Sequence, residues 1–163
     1  MYSTKFPFKV HRTTFYSIEH FLITVKASFY EKESKRRNKK LPETLLSTRL
    51  KNRTQKSVVQ DGFDTYMYIR EGFRRLLSNF DEGFHKNWEI TREDKIMLGN
   101  LERFKQNETL IENILSTGDT NIRYEKQGDD LMRGSGEILM KIRELIKSGF
   151  NIEDELNKAH RRK

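Results

Sequence analysis

The spacing of apolar side chains changes period within the first thirty residues, and this change constrains the fold more than any other feature of the chain. Phe6, Phe8 and Val10 alternate with Pro7 and Lys9. That is the two-residue period of a strand, and Pro7 places it at a sheet edge or at a strand start. His11-Arg12-Thr13-Thr14 reads as a turn before Phe15 and Tyr16. Ser17 is a good helix N-cap, and behind it Ile18, Phe21, Leu22, Val25 and Phe29 recur at helical spacing. The pattern predicts an amphipathic helix over residues 18–30. A short strand feeding a helix needs a further layer to cover both apolar faces.

The rest of the chain supplies mainly helix. Leu45, Leu46 and Leu50 suit a short helical piece after Pro42, and Phe63 to Leu77 suit a second long helix. Residues 78–87 read as a loop around Gly83, and Trp88 opens a third helix with Met97, Leu101 and Phe104 on its apolar face. Asn107 can cap a short helix bearing Leu110, Ile111, Ile114 and Leu115, with Gly118 as its stop. A short strand is expected at 121–125 and a loop from Gly128 to Gly136. A final helix carries Ile138, Leu139, Ile142, Leu145 and Ile146 and closes at Gly149. The fold class expected is therefore α+β. We expect a single domain over residues 1–150, with an insert at about 32–60, and a charged tail at 151–163 that can form a loose helix. Eleven Phe, six Tyr and one Trp supply enough large side chains for one core. The absence of Cys excludes disulfides, zinc ribbons and thiol chemistry. No apolar run reaches the roughly 20 residues of a membrane span, and the start of the chain has no signal-peptide apolar region. The expectation is a soluble, cytoplasmic protein.

The positive charge is local. Residues 32–56 hold ten Lys and Arg against Glu33 and Glu43, which equals the formal charge of +8 of the whole chain. The remainder balances at 22 basic and 22 acidic residues. Such a segment is either a solvated loop or a contact surface for phosphates. On the second reading Lys35, Arg36, Arg37, Lys39, Lys40, Arg49, Lys51 and Arg53 are the DNA-binding candidates.

Glu19 and Lys26 lie seven residues apart on the first helix, so they face the same way, about 10.5 Å apart along the axis. They are either ordinary solvated charges or two groups spaced to hold a small substrate. The four His residues form no i, i+4 pair, so no zinc-hydrolase motif is present and no metal or cofactor is expected. Gly134-Ser135-Gly136 precedes a helix, where its amides could hold a phosphate or simply form a flexible loop. Trp88 could stack on a base or anchor its helix in the core.

Phe6-Pro7-Phe8-Lys9-Val10, then Phe15-Tyr16-Ser17-Ile18-Glu19-His20-Phe21 with Lys26 seven after the Glu, resembles the opening of the NADAR family, which includes the YbiA-like N-glycosidases. The resemblance continues in order through Asn87-Trp88, Ile96-Met97, Arg103-Phe104, Gln106-Asn107 and Leu115-Ser116-Thr117-Gly118-Asp119. It ends in Gly136-Glu137-Ile138-Leu139-Met140-Lys141-Ile142-Arg143. It covers about residues 6–31 and 85–147. The family's upstream F-S-N-F is reduced here to Tyr2-Ser3-Thr4. Its W-G-x-G loop is replaced by Asp129-Asp130-Leu131-Met132-Arg133-Gly134-Ser135-Gly136, without the Trp. The basic segment has no counterpart.

The resemblance implies hydrolysis of N-glycosidic bonds, on ADP-ribosylated guanine in DNA or on phosphorylated ribosylamino intermediates of riboflavin synthesis. It implies Glu19 as general acid/base, Lys26 as nucleophile or imine former, and Asp129 or Asp130 as assistant or ribose ligand. His20, Trp88, Gly134, Gly136 and Arg143 become candidate substrate contacts. The basic segment favours DNA as partner, because a row of phosphates rewards a broad basic surface. A non-enzymatic nucleic-acid-binding protein on the same scaffold is the other alternative. The Lys- and Asn-rich composition would suit a phage protein that counters a DNA-modifying defence.

Overall fold

The computed structural model describes residues 5–38, 40, 41, 43, 46–53, 71, 75, 82–123 and 131–161. The chain opens as a hairpin, β1 (Phe8–Val10) against β2 (Thr13–Phe15). The strands pair antiparallel, with Phe8 opposite Phe15 and Val10 opposite Thr13. The turn is therefore only His11-Arg12, with His11 at φ +54°, and Thr13 and Thr14 belong to the strand rather than to the expected four-residue turn. Two-residue connections match strand twist best, and β-branched Thr suits the pleat.

Helix α1 spans Ile18–Arg36. Ser17 caps it as expected, its Oγ accepting the His20 N–H at 3.0 Å. The helix runs six residues beyond the predicted end. Apolar period stops at Phe29, but Tyr30 and Ser34 are still buried. In the last turns Glu33 pairs with Arg36 at 2.5 Å and Arg37 at 2.8 Å. Basic side chains at a helix C-terminus also suit its dipole. The short α2 (Ser47–Lys51) follows, buried at Ser47 and Leu50 only.

Of the helix expected over 63–77, only Glu71 and Arg75 are described; both are helical and pair at 3.8 Å. Helix α3 spans Glu82–Gln106. Residues 82–87, expected as loop, are its first turns, so Trp88 lies inside the helix instead of opening it. Extending an established helix costs little compared with nucleating one. Helices α4 (Glu108–Ser116), α5 (Ser135–Lys147) and α6 (Ile152–Arg161) complete the chain. Gly118 and Gly149 end α4 and α5 with φ of +58° and +79°, as their positions predicted. Residues 121–123 form no strand. Ile122 instead lies across Gly136. The charged tail is not detached, since Leu156 of α6 is buried and α6 packs on α3.

Helix α3 is the axis of the fold. It contacts α1, β1, α4, α5 and α6. A Cβ added at Gly99 would lie 2.7 Å from the Phe21 ring, and the Phe29 ring packs tilted against Trp88 with centroids 5.4 Å apart. Rising numbers on α1 thus meet falling numbers on α3, so the two helices are antiparallel. Phe8, Phe15 and Phe21 form an aromatic cluster at one end of this pair, with centroids 5.1–5.9 Å apart. Fully burying side chains of this size stabilises by roughly 1.5–3 kcal/mol each.

Among the described residues no helix is long and apolar enough to cross a membrane.

Candidate functional site

Glu19 and Lys26 both face α3, but they meet it about four turns apart. Glu19 is buried and lies beside the Arg103 guanidinium, whose charged form it favours against the cost of burial. Arg103 Nε also donates to the Phe6 carbonyl at 3.1 Å. The neighbouring amides continue this seam. Gln106 accepts from Lys9 N at 2.7 Å and donates to Lys9 O at 2.8 Å, and Asn107 donates to Pro7 O at 3.2 Å. Arg103, Gln106 and Asn107 therefore dock the hairpin edge on α3.

Lys26 sits at the other end. Its Nζ is 5.6 Å from the centroid of the Trp88 ring and 6.0 Å from that of Tyr30. Aromatic faces attract an ammonium by their quadrupole. The Tyr30 phenol is pushed well above its ordinary range by burial first and then by the Glu89 charge. Glu89 thus shares Tyr30 as a neighbour with Lys26. Glu89 Oε2 accepts from Arg92 Nε and Nη2, both at 3.2 Å, and from Arg133 at 2.5 Å. Arg92 is 1% exposed, and its Nη1 donates to Leu131 O at 3.3 Å and Arg133 O at 2.6 Å. Lys26 thus lies over two aromatic rings, and Glu89, next in sequence to one of them, gathers two guanidiniums that tie α3 to the chain entering α5.

Sequence reasoning missed Glu89, Arg92 and Arg133. A signal was present: Trp88, Arg92 and Ile96 follow at i, i+4, i+8 and all three are buried.

The remaining candidates lie elsewhere. Trp88 is 4% exposed, so its faces are filled by Phe29 and Lys26 and its place is in the core, not under a substrate base. His20 is also a packing residue. Its Nδ1 accepts the Tyr16 N–H at 3.3 Å, which leaves Nε2–H to donate to Leu50 O at 2.7 Å. This assigns the neutral Nε2–H tautomer from its partners. Arg143 is buried and donates to Thr117 Oγ1 at 2.9 Å and Thr120 O at 2.7 Å. Together with the Lys147–Asp119 pair at 2.8 Å it holds the turn after α4.

Gly134 takes the left-handed conformation, φ +85°, before α5. The next amide, Ser135 N, donates to Met132 O at 3.1 Å. Gly136 allows the backbone of residues 122 and 123 to pass against the helix. At Gly136 there is no room for a methyl group, so this glycine serves packing, while Gly134 has open space there and serves the left-handed turn into α5. Gly136→Ala would place Cβ inside contact distance of the Ile122 carbonyl oxygen. We expect it to cost about 1–3 kcal/mol as an overpacking change, seen as a lowered urea midpoint with unchanged slope. Asp129, Asp130 and Lys39 lie outside the described residues. Among the described residues no group of His, Asp and Glu could hold a metal ion.

His20 also gives a pH prediction. Burial holds its pKa below 6.5, the Arg53 charge adds to this, and the Leu50 bond opposes it. Below pH 6.5 the unfolded chain takes up a proton that the folded chain refuses. The contribution is therefore complete above pH 6.5 and is lost as pH falls from there toward the folded pKa. Melting followed by circular dichroism should show a lower Tm at pH 5.5 than at 7.5, and His20→Asn should flatten that slope.

Of the basic candidates, Lys35, Arg36, Lys40, Arg49 and Lys51 are exposed, while Arg37 and Arg53 are half-buried. No family model, no curated protein and no solved structure matches the chain.

Proposed function

We propose that the protein is an N-glycosidase that removes ADP-ribose from guanine bases in DNA. The observation that carries this reading is the setting of Lys26: an amine held over two aromatic rings, sharing Tyr30 as a neighbour with the carboxylate of Glu89. This is the lysine that the family resemblance singles out. A ribose joined to an exocyclic nitrogen can ring-open to a protonated imine at C1. The neutral Lys26 amine adds to C1, and the resulting aminal expels the guanine amine, which leaves with a proton. A lysine imine remains. Water then adds to that imine, the amine departs, and the free aldehyde recloses as ADP-ribose. One water is consumed and Lys26 is regenerated.

The resting ammonium must lose a proton before it attacks. Glu89, next to Trp88 in sequence and a charge neighbour of Tyr30, is the carboxylate we assign to that step. Glu19 keeps its proposed role as general acid/base, but its charge also favours the buried Arg103 cation, which makes support of the hairpin a competing use. Comparing Glu19→Gln with Glu89→Gln separates the two carboxylates, since the one that handles the proton alters the pH profile of turnover and the other does not.

The test of the function supplies two substrates in parallel: an oligonucleotide ADP-ribosylated on guanine, and a phosphorylated ribosylamino pyrimidine. Release of free ADP-ribose from the first is the expected result. Cleavage of the second alone would assign the metabolite activity. Binding of DNA without release from either would assign a non-enzymatic role.

A further inference from the structure

The cations of the basic segment are not equivalent in its described part. Arg36 and Arg37 share the carboxylate of Glu33, whose pKa they hold below the usual carboxylate range, Arg36 foremost. Their charge is partly spent within α1. Helix α2 is different. Its inward residues, Ser47 and Leu50, are buried, and its outward residues, Thr48, Arg49 and Lys51, are exposed.

Two side chains of α1 pin it. The Glu31 carboxylate accepts from Ser47 N at 2.6 Å and from Ser47 Oγ at 2.7 Å, which satisfies a donor at the start of α2. His20 Nε2–H donates to the Leu50 carbonyl at its end, at 2.7 Å. A five-residue helix is not stable alone in water. Here its ends are fixed by polar bonds and its inner face by Leu50, which is 3% exposed.

We infer that α2 is a fixed contact for the phosphate backbone of DNA, with Arg49 and Lys51 as its outward cations and Glu31 as the residue that sets its orientation. The choice of DNA rests on the proposed function, but the geometry does not. Pre-ordering matters because a cation that is already positioned loses little freedom on binding. Contacts to phosphates carry affinity without reading bases, so α2 would hold the strand while the chemistry near Lys26 selects the adduct.

Glu31 makes the inference testable against simple electrostatics. Glu31→Ala removes a negative charge, so attraction by net charge alone predicts tighter DNA binding. A pinned contact predicts weaker binding, because α2 loses its anchor. Binding of the full chain to an unmodified fluorescent DNA duplex is measured by anisotropy over a range of salt, so no turnover is needed. Loss of glycosidase activity would leave this result standing, and a failed α2 would leave the glycosidase result standing.

Glu31→Ala should weaken binding by about fivefold or more at physiological salt. Arg49→Gln/Lys51→Gln should lower the slope of log affinity against log salt by about 1.8, for two phosphates. Arg36→Gln/Arg37→Gln should lower it by less than half as much. Lys105→Gln/Lys141→Gln, which removes equal charge from α3 and α5, should scarcely change it. Tighter binding by Glu31→Ala, or equal slopes in all three double variants, would overturn the proposal. So would equal competition by poly-glutamate of matched charge, which would assign the surface to acidic proteins.

Discussion

Replacing Arg92 with alanine is expected to destabilise the protein by about 2–5 kcal/mol, the cost of leaving two carbonyls unpaired and of the cavity left by a buried side chain. Arg92 is 1% exposed and makes four hydrogen bonds, two to Glu89 and two to the carbonyls of Leu131 and Arg133. Its removal leaves those two carbonyls without this donor and opens a cavity between α3 and the start of α5. Arg133 binds the same Glu89 oxygen, but its side chain is 61% exposed. Arg133→Gln should therefore cost less than about 1 kcal/mol, as exposed ion pairs do. Urea unfolding of both variants checks the contrast. Equal costs would show that burial does not decide the worth of this network.

The second large effect concerns chemistry. Lys26→Ala should lower turnover by about 10³-fold or more while the urea midpoint changes little, because the amine is used in the reaction and only half-buried in the fold. Lys26→Arg should be equally inactive. It keeps the cation over Trp88 and Tyr30, yet a guanidinium forms no imine at neutral pH. If Lys26→Arg retained substantial activity, Lys26 would act by its charge and not as a nucleophile.

The legible parts of this chain are those where local chemistry and tertiary need agree. The β1 period, the Ser17 cap and the left-handed glycines after α4 and α5 could be read directly, because each solves a local backbone problem. The length of α1 could not, since residues 31–36 carry no apolar period and hold their helix by charge pairs and by the burial of Ser34. Arg92 was hidden for a related reason. In Thr91-Arg92-Glu93-Asp94-Lys95 it looks like one more solvated charge. Only its register with Trp88 and Ile96 shows that it points inward.

The site was legible as a list and not as an arrangement. Glu19 and Lys26 do share a face, as their spacing implied. The length of α3 then separates their partners, Arg103 for one and Trp88 with Tyr30 for the other. His20, Trp88, Gly136 and Arg143 fell within motifs, and the structure uses them to hold elements together, while Gly134 turns the chain into α5. Sequence spacing reports which residues can meet. It does not report whether a polar group is consumed by its neighbours.

The most direct test of the central claim is to trap the covalent intermediate. The protein is mixed with guanine-ADP-ribosylated oligonucleotide, sodium borohydride is added, and the intact mass and its peptide map are recorded. The expected result is a reduced ADP-ribosyl adduct on Lys26, absent in Lys26→Arg, with unmodified DNA released. Release of ADP-ribose with no adduct, or an adduct on another lysine, would contradict it.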